Sequence, residues 1–397
     1  MLPAHPLLAV THADPYPYYA ALARERPLYR DEALGLWVAS HPDTILAVMR
    51  DPAARVRPPS EPVPRGLCPG PAGELFGRFV RMNDSVLHTR VKALLTAFLR
   101  EQGTPPCTPR WPEMPAGDAA TVDRYLTAAP VHAQAAFLGL SPALQADSAA
   151  QIAAFLAALP APADADAIAA AHAAAQALQS RLESLLSAGD ATPALRTLRE
   201  DGARAQIPAA VLAANLVGLL FQSCEAGAGL LGNALVHIGR QGLSAHAACA
   251  DAQTIIDHVI RHDPPLHNTR RFLADSITIN GQRIEAGQTV LLVLAAAATV
   301  HPDAGWTFGA PGLGTPGRGA PGSGTPGRGA PGGGAPGSEA PGHACPGQGL
   351  ARRHAADALV HLLQAGVDAA ALASHFRYRP LPNARVPQFA FSKEPTP

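Results

Sequence analysis

Cys345 carries more chemistry than any other residue of this 397-residue chain, because it lies in Gly342-His343-Ala344-Cys345-Pro346-Gly347 with Leu350-Ala351-Arg352 close behind. A cysteine in a tight Gly/Pro turn that runs into a helix exposes its sulfur. The amides of the turn and of the helix N-terminus favour a negative charge there. Such a thiolate can hold a heme iron and push electron density toward it, which favours O–O cleavage over simple oxygen carriage. One cysteine decides nothing alone, so the rest of the chain must supply a pocket. His258 and His262 form a second pair of candidate ligands at i,i+4, but no HExxH or comparable cluster accompanies them, which disfavours a zinc hydrolase.

The elements that must position Cys345 are mostly helical. Residues 17–25 and 42–49 read as short helices flanking a strand at 35–39, and 84–100 as a helix opened by Asp84 or Ser85. Region 141–187 is strongly helical and rich in alanine. Pro208, at a first-turn position, opens the longest predicted helix, which runs to about residue 240. Residues 254–262 are helical until Pro264-Pro265 stop them. The period then changes: 276–279 and 283–285 flank Asn280-Gly281, a strong two-residue hairpin signal. Residues 289–294 read as a buried strand and 377–391 as irregular strands. The expected fold is mainly α with small β-sheets, as a single domain over residues 1–397.

Six successive pentads of the form Gly-[Ala/Thr]-Pro-Gly-x fill residues 309–338. Their glycine spacing alternates three and two, so the every-third-residue rule of collagen is broken. Such a segment has almost nothing apolar to bury and reads as a surface loop within the domain. Its phase continues through 339–343 into Ala344-Cys345-Pro346-Gly347-Gln348, as expected if the repeat expanded from the cysteine loop itself. Each doubling of a loop costs only about 0.6 kcal/mol, so the fold can tolerate it. A docking arm for a partner is the alternative.

Formal net charge is zero, which gives no global basic field for nucleic acid or an anionic membrane. The longest apolar runs, 211–221 and 289–300, are too short to span a bilayer. The opening Met1-Leu2-Pro3-Ala4-His5-Pro6 lacks a signal-peptide pattern. Five scattered cysteines without CxxC spacing argue for a reducing compartment and against a disulfide or zinc framework. The expectation is a soluble, cytoplasmic protein.

In this order the pieces resemble a soluble bacterial cytochrome P450 over nearly the whole chain. Pro15-Tyr16-Pro17-Tyr18-Tyr19-Ala20-Ala21-Leu22 is similar to the family's opening helix, and Met82-Asn83-Asp84-Ser85-Val86-Leu87-His88-Thr89-Arg90 to the start of its heme-contacting helix. Residues 219–230 resemble the central helix over the heme. Arg261-His262-Asp263-Pro264-Pro265 resembles the end of the Glu-x-x-Arg helix, and Thr269-Arg270-Arg271-Phe272 the strand after it. The hairpin and Gly287-Gln288-Thr289-Val290 follow in the expected order.

The resemblance implies heme b with Cys345 as its axial metal ligand. It also implies that His88, Arg271 and His343 meet the propionates, with Lys92 on the same helical face as His88 where an arginine is common. Arg271 fits the spacing to Asn280-Gly281 better than Arg270. The implied reaction is oxidation of a small, largely apolar organic molecule, using dioxygen and electrons from separate ferredoxin and ferredoxin reductase partners. Residues 59–79 and 164–186 are expected to roof the pocket.

Three departures qualify that reading. The central helix reads Gln222-Ser223-Cys224-Glu225-Ala226-Gly227: Glu225 keeps the usual acid, but Ala226 replaces the hydroxyl. Glu225 with a raised pKa can still relay protons through water, helped by Ser223, or it can merely satisfy local backbone. Cys224 reads as a small packed side chain. Next, His258-Val259-Ile260-Arg261 stands where the family has Glu-x-x-Arg, with Asp257 at i,i+4 from Arg261 as a substitute carboxylate. Finally, Ser338, Glu339 and Pro341 replace the Phe and two Gly upstream of the cysteine. Trp306 and Phe308 are the remnants of the preceding meander. These changes leave open a peroxide-using or non-hydroxylating enzyme, or a non-catalytic binding protein of the same fold.

Overall fold

The run Thr289-Val290-Leu291-Leu292 is apolar on both sides of the strand, and that composition sends it to the middle of a sheet. A computed structural model of the protein, describing residues 2–101, 107–114, 118–160, 163–309 and 344–391, places it there. Helices α1 (Pro6–Ala9) and α2 (Tyr16–Glu25) lead into β1 (Leu28–Asp31), β2 (Leu36–Ala39), α3 (Pro42–Arg50) and β3 (Ala54–Arg55). The helical body is α4 (Pro71–Arg78), α5 (Val86–Glu101), α6 (Ala119–Phe137), α7 (Pro142–Ala157), α8 (Ala165–Ser187), α9 (Pro193–Arg204), α10 (Ala209–Gln241), α11 (Ala245–Ala250) and α12 (Ala252–His262). After it come β4 (Thr269–Leu273), β5 (Ile277–Ile279), β6 (Gln282–Ile284), β7 (Thr289–Leu292) and α13 (Leu294–Val300). The chain closes with α14 (Gln348–Gln364), α15 (Ala369–Ser374), β8 (Arg377–Tyr378) and β9 (Pro387–Gln388).

The main sheet has the order β1-β2-β7-β4-β3, with β7 central. β2 runs parallel to β7 with Trp37 opposite Val290, whereas β4 is antiparallel with Arg271 opposite Val290. Two-residue alternation along β4 buries Arg271 and leaves Arg270 exposed. Asn280 and Gly281 both take positive φ, 51° and 74°, as a tight turn between β5 and β6 requires.

α10 is the axis of the helical body, packing against α6, α8, α12, α14 and α15. By length and composition it is apolar enough to cross a membrane, which the short apolar runs of the sequence do not suggest. Most of its apolar side chains are buried in the protein. Gly227 lets α10 approach α6, since a Cβ there would meet Pro130 Cβ at 2.5 Å.

Two local expectations change. The alanine-rich region is helical as expected, as α7 and α8, but Pro208 is the N-cap of α10 rather than part of its first turn. Ser85 flanks α5, while the Asp84 carboxylate accepts the Val56 amide at 2.9 Å. Asp257 does not pair with Arg261. It pairs with Arg352 of α14 at 2.9 Å, and Arg261 turns to Asp303 at 3.2 Å. The carboxylate of α12 therefore braces the helix that follows Cys345. With side chains 29% and 33% exposed, this pair is worth about 1 kcal/mol or less. Asp257→Asn is expected to lower unfolding free energy by that amount, with a coupling to Arg352→Met of the same size in a denaturant double-mutant cycle.

Candidate active site

Ala344–Gly347 lead directly into α14, and the Cys345 amide donates to the Phe308 carbonyl at 2.7 Å. This backbone bond ties the cysteine turn to the segment of Trp306 and Phe308. Cys345 then forms one wall of a cavity of ≈ 680 Å³ whose other walls come from α5, α6, α10, α14 and β4. The residue is accessible, but the surface it presents is the cavity wall, and protein encloses it otherwise. Burial pushes its thiol up, and the Gly347 amide, Arg81 and Lys92 oppose that shift.

Those cations belong to a cluster. His88 and Lys92 lie one turn apart on α5, Arg271 comes from β4, and Arg81 precedes α5; all four line the cavity. His88 is buried. Burial pushes Lys92 down to about 8, with Cys345 opposing and Arg81 adding to the shift. Arg271 falls to about 10 through burial and then the charge of Arg81, with Asp84 opposing. Arg271 donates one bond, to the Arg270 carbonyl at 2.9 Å. Arg81 has no hydrogen-bond or ion-pair partner among the described residues, and burial lowers its pKa while Cys345 raises it. A buried guanidinium without an acceptor is costly unless an anion completes it.

On the opposite side α10 supplies Leu219, Phe221, Ser223, Glu225 and Ala226. Burial pushes the Glu225 carboxyl up, against the pull of Arg379. Ser223 Oγ donates to the Leu220 carbonyl at 2.8 Å, so its hydroxyl proton is committed and its oxygen remains an acceptor. Cys224 is buried against α6, its Sγ donating to the Thr127 carbonyl at 3.3 Å and its thiol pushed up to about 12 by burial and then Glu225. It packs as a small side chain.

The structure thus brings Glu225, Ser223, His88, Lys92, Arg271 and Cys345 around one cavity. His343, the replaced positions 338, 339 and 341, and the repeat beyond Gly309 lie outside the described residues. The expected roof is corrected in part: Pro64 and Phe76 line the cavity, but α8 contributes no lining residue and packs behind α4, α7 and α10. Leu156 and Leu159, at the end of α7, take its place. His258 and His262 are away from the cavity, and the His258 ring lies 4.3 Å from that of His237 and 4.4 Å from that of His262. No cluster of three or more ligands is arranged to hold a metal ion among the described residues. Sequence reasoning missed Arg81 and Arg57; neither belongs to a motif.

No protein-family model and no curated protein matches the sequence. Solved structures do match. CYP164A2 of Mycobacterium smegmatis, in a ligand-free state, is 23% identical, covers 97% of each chain and superposes with a TM-score of 0.61. P450 RauA, complexed with a biosynthetic intermediate of aurachin RE, is 18% identical over 97% of this chain and 96% of its own, with a TM-score of 0.63. P450BioI, in complex with hexadec-9Z-enoic acid ligated acyl carrier protein, is 17% identical over 94% and 96%, also at 0.63. The chain has the cytochrome P450 fold, mainly helical with small sheets.

Proposed function

We propose that this protein is a heme-thiolate oxidoreductase of the monooxygenase type. Its substrate would be a small, largely apolar organic molecule such as a biosynthetic intermediate, and it would act in the cytoplasm with ferredoxin and ferredoxin reductase as electron donors. The observation that carries this reading is Cys345 on the wall of a cavity that also holds Arg81, Lys92 and Arg271 and is faced by the apolar helix α10. The donor set fits heme b: the Cys345 sulfur would ligate the iron, and the cations, with His88 and His343, would meet the two propionates. The biosynthetic intermediate complexed with RauA and the carrier-ligated hexadec-9Z-enoic acid complexed with BioI support a fold that takes organic intermediates of different kinds.

When bound, the heme supplies oxidative chemistry with dioxygen. The chain's part is positional. Leu156, Leu159, Leu219 and Phe221 exclude water from the α10 side of the cavity. Glu225, its pKa raised, retains its proton to higher pH than an ordinary carboxyl and can deliver it into the cavity. The Ser223 oxygen can accept a water on that path. Ala226 offers no hydroxyl, which favours peroxide as a second source of oxidant. Turnover with hydrogen peroxide, compared with dioxygen plus a redox pair, distinguishes the two. A folded protein that binds no heme and turns over neither would be a binding protein.

Proton delivery by Glu225 needs its protonated form, so kcat with dioxygen should fall as pH rises through its raised pKa. Glu225→Gln should remove that alkaline limb and lower kcat by roughly tenfold. This is less than a sole general acid commonly contributes, because water at Ser223 remains. A pH profile of the variant that keeps the limb would assign it to another group.

A further inference from the structure

We infer that the cavity takes a substrate bearing a carboxylate and that Arg57 is the residue that reads it. This inference rests on the reading above only in treating the cavity as a substrate pocket. Arg57 lies just after β3 and lines the cavity beside Pro64, Phe76 and Met82. Its Nε donates to the Pro62 carbonyl at 3.1 Å and its Nη2 to the Glu61 carbonyl at 3.2 Å, which clamps one edge of the guanidinium to the loop. The Phe76 ring lies 5.6 Å from the guanidinium carbon. Nη1 has no protein acceptor among the described residues, and no carboxylate pairs with this side chain. Glu61 is felt at a distance, but its carboxylate is bridged to Arg65 at 3.1 Å.

Electrostatic coupling separates Arg57 from the cations around Cys345. Arg81 and Lys92 act on the Cys345 thiol and Arg81 on Arg271, whereas the charge felt by Arg57 is that of Glu61. Glu225 faces Arg379. Among the described residues, Arg57 is a cation of the cavity wall whose Nη1 meets no acceptor, the Glu61 carboxylate being bridged to Arg65. A half-buried guanidinium, pre-oriented by two carbonyls and set among apolar side chains, suits an amphipathic acid: the hydrocarbon packs on Phe76 and Met82 and the carboxylate meets the guanidinium.

The test uses the purified full chain, heme-loaded where it loads, with octanoic, dodecanoic and 4-phenylbutyric acids and their methyl esters as probes in calorimetric titrations. At least one acid should bind on the order of tenfold to hundredfold tighter than its ester, the usual worth of a hydrogen bond to a charged group. Arg57→Gln should erase that preference while leaving ester affinity unchanged, and Arg57→Lys should restore part of it. Acids that bind no tighter than their esters, including a panel in which nothing binds, overturn the inference. So does a preference that survives Arg57→Gln but is lost in Arg271→Gln, which would place the acid among the propionate cations. Heme content, read from the absorption spectrum of the same samples, is independent. An Arg57-dependent acid preference in protein that takes up no heme keeps this inference and removes the oxidoreductase reading. Normal heme uptake with no acid preference does the reverse.

Discussion

Cys345→Ala is expected to abolish the red-shifted band of a heme thiolate in the reduced, carbon monoxide-treated protein, and to lower the heme retained per chain. The sulfur is the one side-chain atom in the cysteine turn suited to a soft iron bond. Its electrostatic support comes from the Gly347 amide, Arg81 and Lys92, and all of these remain after truncation. Residual heme should therefore stay by virtue of the cations, with a spectrum lacking the thiolate signature. Folding should be little disturbed, because the turn is fixed by the backbone bond from Cys345 to Phe308, which alanine preserves. Cys224→Ala is the matched control. Its thiol is buried, bonded to the Thr127 carbonyl and pushed up to about 12, so the band should be unchanged. A thiolate band that persists in Cys345→Ala, or one that disappears in Cys224→Ala alone, would move the ligand and dismantle the proposed site. Urea unfolding of both variants separates loss of ligation from loss of structure.

What could be read from the sequence was whatever depends on local chemistry. The Asn280-Gly281 turn needs two positive φ values that few other pairs tolerate, and it forms where expected. The choice between Arg270 and Arg271 followed from spacing, and alternation along β4 puts Arg271 on the cavity wall. Contacts set by the packing of distant elements were not legible. Asp257 is correctly spaced for Arg261, yet the crossing of α12 and α14 offers it Arg352, and Arg261 finds Asp303. The composition of α8 suits a mobile roof as well as a second packing layer, and only its contacts with α4, α7 and α10 decide for the layer. Arg57 sits in an irregular stretch and Arg81 in a single 3-10 turn, where an arginine is usually a solvated side chain. Their importance lies in what is missing around them, and an absent partner leaves no trace in a sequence.

Arg81→Met is expected to move two measurements in opposite directions. In the heme-free protein Arg81 is a cavity-lining guanidinium with no acceptor among the described residues, and its charge helps depress both Lys92 and Arg271. Removing it relieves the desolvation of one cation and the repulsion on two others. Water within the cavity already offsets part of that cost, so the heme-free variant should gain only about 1 kcal/mol of unfolding free energy. The heme-loaded protein should lose instead. A charge-assisted bond to a carboxylate contributes about 1.5–3 kcal/mol, so heme affinity should fall roughly tenfold to hundredfold. The Cys345 thiol would also rise further, having lost a neighbour that favours its anion. Denaturant unfolding of the heme-free chain and heme transfer to an acceptor globin give the two numbers separately. Destabilisation of the heme-free protein with unchanged heme affinity would make Arg81 a structural residue and leave Lys92 and Arg271 to hold the propionates alone. The opposed signs are the stronger test, since general damage to the fold weakens both and only a site built for an anion gains stability by losing a cation.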